Sequence, residues 1–139
     1  MSTFYILTHR AGNTYSKPTI FILNKGMNSG KSMKQPTANC FALITKTEKE
    51  AEDLYHVALA LWQTKFWHPY LVGSVIPFLR INEFKGEFYK KSKEMISEHE
   101  EHIQTMTKIK ELQKASDLFN QNLALIEEMK RVVLYRYCK

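Results

Sequence analysis

The chain has 139 residues, 44% of them apolar and 24% charged, which excludes a disordered tail and gives one domain over residues 1–139 as the expectation, since chains of this length bury roughly two-thirds of their unfolded surface. The longest apolar stretch, residues 70–79, is interrupted by Gly73 and Pro77 and is about half of the ~20 residues that a membrane-spanning helix needs, so no membrane partner is expected. The net charge of +6 is confined to the first third: residues 1–47 carry six basic and no acidic side chains, and a field of one sign attracts nucleic acid or an acidic protein surface.

The basic third, residues 1–46, reads as β. Runs at 3–8, 19–23 and 40–45 are rich in Phe, Tyr, Ile and Thr, and the segment between the first two is rich in turn residues. The connection at 24–39 is long for a hairpin and holds Gly26, Asn28, Ser29, Gly30 and Pro36. Loops of that length in compact domains are commonly functional. Thr47-Glu48-Lys49-Glu50 matches a capping box and opens a helix over 47–67. Ala51, Leu54, Tyr55, Ala58, Leu61, Trp62 and Phe66 give that helix an aromatic apolar face, and Pro69 ends it. Trp67 and His68 fall off the stripe, so they are the two of the cluster whose exposure needs checking. Residues 72–81 alternate weakly, and Pro77 restricts them to an edge strand or a connector. Residues 82–139 hold no proline and one glycine, so they are expected to be helical. One rod of that length would extend ~85 Å, so a break is expected near Ala115-Ser116-Asp117, giving a helical hairpin. The architecture expected is α+β: a small antiparallel N-terminal sheet of three or four strands, packed on an aromatic-faced helix and followed by the hairpin.

Several motifs suggest chemistry. Asn24 to Ser32 reads N-K-G-M-N-S-G-K-S directly after a strand. A phosphate-binding P-loop needs G-x-x-x-x-G-K-[ST] followed by a helix, but Lys25 stands where the first glycine belongs, and Pro36 leaves the helix no room. What survives is a glycine-containing loop in which Lys25, Asn28, Ser29, Lys31 and Lys34 are candidates for cradling an anion. The plainer account, turn residues in a surface loop, weighs slightly more. His99-Glu100-Glu101-His102, with Glu98, is one residue short of the H-E-x-x-H spacing that puts two histidines on one helical face, so no metal site is expected. Cys40 and Cys138 form no metal or redox motif and suit reduced thiols in a cytoplasmic protein. No serine sits in a nucleophile elbow, no histidine lies near Cys40 in sequence, and no cofactor motif stands out. The balance leans away from an enzyme, which would require a pocket collecting residues distant in sequence. The aromatic cluster of Trp62, Phe66, Trp67, His68 and Tyr70 has only Lys65 as a basic neighbour in sequence, which favours core packing over base stacking.

The run from Phe21 to Ser32, with Pro36, Asn39-Cys40-Phe41, Leu61-Trp62-Gln63 and the run from Gly73 to Ile81, resembles a domain-of-unknown-function family of small Bacteroidetes and mobile-element proteins. The resemblance covers about residues 20–85. It implies a shared fold and a mobile-element setting and carries no catalytic residue. The family typically has Pro where Ser32 stands here, a further argument against a P-loop. Two functions follow as expectations. The first is a non-enzymatic module binding nucleic acid or another polyanion through the basic loop. The second is a protein–protein adaptor or inhibitor acting through the C-terminal helices, homodimerisation included.

Overall fold

A computed structural model describes residues 4–97 and 99–138. The chain divides into two compact units, Met1–Met106 and Thr107–Lys139. The first unit contains strands β1 (Tyr5–Thr8), β2 (Thr19–Leu23), β3 (Ser32–Met33) and β4 (Cys40–Ile44), then helices α1 (Glu48–Gln63) and α2 (Ile81–Ser97). A short 3-10 turn at His68–Tyr70 lies between the helices. Helix α3 (His99–Tyr137) begins in the first unit and makes up nearly all of the second.

The sheet is antiparallel with strand order β1-β4-β2-β3, so β4 sits between β1 and β2. All five residues of β4 are buried, as expected of a continuous apolar run covered on both faces. Register sets the two faces: Ile6, Ile20 and Leu43 share one rung, while Leu7, Phe21 and Ala42 share the next. Phe21, Cys40 and Ala42 form one cluster, lidded by Leu7, Tyr15 and Met33. His9 closes that side, its Nδ1 lying 2.8 Å from the Tyr15 hydroxyl. On the other face Phe41 meets Phe84 of α2 at 5.2 Å between ring centroids, and Phe84 stacks on Phe88 at the same separation.

Thr47 caps α1 as its sequence predicts: its hydroxyl accepts from the Glu50 N–H at 3.2 Å. The return half is displaced by one residue, with the Glu50 carboxylate accepting from the Lys46 N–H at 3.4 Å. The helix ends at Gln63, before the expected 67. Lys65 there adopts a left-handed backbone (φ 59°), and the Phe66 N–H donates to the Leu61 carbonyl while the Lys65 N–H donates to that of Trp62. This is a Schellman closure with lysine in the position glycine usually takes.

The other expectations fare differently, and the helical break near Ala115 is the one corrected. The fourth strand is Ser32–Met33, inside the long loop, and residues 72–81 are the connector of the two expected alternatives, with bridges from Phe78 to Val72 and to Lys25. Pro77 has no N–H to extend that pairing. Helix α3 runs unbroken through Ala115–Asp117, where the Asp117 carboxylate accepts from the Gln113 side-chain amide at 2.9 Å instead of capping a new helix. The division between helices falls after Ser97. Of the two residues off the stripe, Trp67 is fully buried, in keeping with the core packing expected of the aromatic cluster, while His68 is exposed.

Candidate functional site

The β2–β3 connection is closed by its own backbone. Gly30 N–H donates to the Leu23 carbonyl at 2.7 Å, and Leu23 N–H donates to the carbonyl of Lys31 at 2.9 Å. Between them, Ser29 N–H donates to the Gly26 carbonyl and Lys31 N–H to that of Asn28. The Gly26 N–H donates outward to the Pro77 carbonyl at 2.7 Å. An anion-binding nest needs consecutive N–H groups aimed at the ligand, and here they point to protein carbonyls. The chain then enters β3, where a P-loop needs a helix.

The five candidate residues divide accordingly. Ser29 is buried and its hydroxyl donates to the Gly26 carbonyl at 2.6 Å, so it holds the turn. Asn28 is exposed on the turn. Lys25 is exposed and bridges Phe78 through its backbone. Lys31 and Lys34, also exposed, lie over rings of α1, with Lys31 Nζ 5.0 Å from the Trp62 centroid and Lys34 Nζ 5.4 Å from that of Tyr55. Both distances suit cation–π attraction. Lys34 also lines a surface cleft of about 420 Å³ with Thr19, Ile20, Tyr55, Glu48 and Glu52, whose carboxylates make the cleft mixed in sign.

Gly30 explains how the loop is held. Its φ is +99°, and a Cβ there would lie 2.2 Å from Trp67 Cδ1, so the indole occupies the space a side chain would need. Trp67 in turn packs on Phe84, Phe66 and Tyr70. Its Nε1 and the Ser32 hydroxyl are buried without a hydrogen-bond partner among the described residues.

Sequence reading missed the pairing of Lys31 with Trp62 and of Lys34 with Tyr55. The seven-residue spacing of Tyr55 and Trp62 puts both on one face of α1, but no local signal reveals lysines arriving from a strand that lies earlier in the chain. Glu98 lies outside the described residues, as do the side chains of His99, Glu100 and His102, so the spacing argument for that cluster stands on sequence alone.

The segments that carried the family resemblance meet in space. Leu79 N–H donates to the Asn24 carbonyl at 2.9 Å, Gly26 bonds Pro77, Lys25 bridges Phe78, and Trp62 lies under Lys31. Val72 and Phe78 exchange both backbone hydrogen bonds, closing the loop that contains Gly73. No curated protein matches the chain significantly. Among the described residues no helix is long and apolar enough to cross a membrane. The match to a family of unknown function, DUF6943, runs over residues 6–136, well beyond the stretch of the resemblance, and the chain belongs to that family.

Proposed function

We propose that the chain is a non-enzymatic protein–protein adaptor that acts through α3, an apolar helical face seeking helical partners. The observation that carries this reading is exposure: Phe119, Met129, Val133 and Leu112 are 65–71% exposed along one helix. With their neighbours, about ten such side chains amount to on the order of 1,000 Å² of apolar surface, given about 150–250 Å² for a large side chain. Monomers rarely leave more than about 300–600 Å² in one patch uncovered. Hydrogen–deuterium exchange tests the reading. Amides of α3 gain protection when its apolar face is covered, and Ile126→Glu with Val133→Glu removes that gain. Equal exchange in both chains at every concentration and with every helical partner tried argues against it.

A second reading is polyanion binding at the β2–β3 loop, supported by Lys31 over the half-buried Trp62, which sets a cation beside an aromatic face of the kind bases stack on. Labelled single- and double-stranded nucleic acid, titrated across a salt series, tests it. Binding that falls with salt and disappears in a Lys25, Lys31, Lys34 to Glu triple variant favours this reading. The setting we infer is cytoplasmic and linked to mobile elements. Support comes from two free thiols, Cys40 buried and Cys138 exposed, and from the family resemblance.

A further inference from the structure

Helix α3 carries two apolar rows. Leu112, Phe119, Leu123, Ile126, Val133 and Tyr137 follow the three-and-four spacing of a coiled-coil seam, and each is 50–86% exposed. Leu118, Leu125, Met129 and Val132 repeat that spacing one residue earlier and are 50–67% exposed. A shift of one residue turns the helix by about 100°, so the rows face two different directions. A two-stranded coiled coil covers one seam only. Covering both requires each helix to lie between two others.

We propose that the partners are copies of this chain, and that α3 packs between two further α3 helices in an assembly of more than two chains. This rests on the reading of α3 as a contact surface. Any partner must present an apolar helical face of matching length and repeat, and each copy brings one. The apolar area on one α3, on the order of 1,000 Å² shared between its two neighbours, is in total about what one chain buries in a stable specific interface, ~800 Å². Both rows also include polar positions, Ser116 and Lys130 in the first and Asn122 and Arg136 in the second. Polar residues within a seam restrict register and the number of strands. Four helices in a square, whose neighbours lie at about 90°, fit the offset of the rows most directly.

Sedimentation equilibrium of the full chain, from about 1 to 100 µM, is the test, and four times the 16.3 kDa chain mass is expected. Any mass above two chains supports the proposal, and a mass of one or two chains throughout overturns it. Leu125→Glu with Val132→Glu removes the second row and reduces the mass to two chains or one, whereas Ala124→Glu, on the side opposite both rows, leaves it unchanged. Emission from Trp62 and Trp67 in the first unit, together with far-ultraviolet helicity for α3, confirms that each variant remains folded. A hydrophobic dye separates this proposal from the reading beneath it. A monomer that binds dye, with binding lost in Ile126→Glu/Val133→Glu, overturns self-assembly and retains the contact surface. A monomer that binds none overturns both.

Discussion

Phe84 and Phe119 are both helical phenylalanines on apolar stripes, yet the first is 0% exposed and the second 71%. In the first unit, α2 places Phe84 and Phe88 against Phe41 and Phe4, and the Tyr89 hydroxyl donates to the Phe4 carbonyl at 2.9 Å. In the second unit, Thr107–Lys139, the side chains of Leu112, Phe119, Leu123 and Val133 are all more than half exposed. The contrast shows that helical periodicity states which face must be covered without stating by what. Cover comes from a sheet in one case and, by our proposal, from other copies in the other.

Substitution at the two phenylalanines is the most direct way to break this comparison. Phe84→Ala should cost about 3–5 kcal/mol in urea unfolding, the range for a buried phenylalanine, while Phe119→Ala should leave first-unit stability unchanged and lower only the assembled mass. Equal losses from both would abolish the contrast. Next in size is Gly30→Ala, expected to cost ~3 kcal/mol, because a left-handed backbone and a clash with the Trp67 indole add together. Gly12→Ala, with φ +88° and no atom within 4 Å of a Cβ, should cost only ~1 kcal/mol and so isolates the conformational part.

Smaller effects sharpen the account of the first unit. Thr47→Ala should lower its stability by about 1 kcal/mol, by leaving the Glu50 N–H without its hydroxyl acceptor. Lys65→Gly should raise it by less than ~1 kcal/mol, because relief of the left-handed strain exceeds the added freedom of the unfolded chain. The smallest effect is a pH dependence. Burial raises the Tyr89 hydroxyl above its ordinary value of 10.0, so the folded state holds that proton more tightly than the unfolded one does. Its contribution is complete below pH ~10 and is lost as pH rises beyond it. Tyr89→Phe should flatten that alkaline slope in a pH series of unfolding curves.

Much of the first unit was legible in its residues. Three strands and the start of α1 coincide with β-rich runs and a capping box, signals that act within a few residues and need no partner. The end of α1 was not legible, because a lysine at the Schellman position gives no hint of a left-handed turn. Strand β3 escaped notice because two residues between turns become a strand only when β2 supplies the ladder. Of the candidate site, the loop and its lysines were visible. The commitment of its N–H groups, the inward Ser29 and the rings beneath Lys31 and Lys34 were not.

The sequence by itself determined the α+β class, the basic first third and the helical character of residues 82–139, since composition and spacing are properties of the chain alone. Only the tertiary structure decided that Trp67 is buried on Gly30, that Pro77 and Leu79 bond the β2–β3 loop, and that rings of α1 lie under Lys31 and Lys34. Those outcomes depend on contacts between residues far apart in sequence, and a local pattern carries no record of which distant surface will meet it.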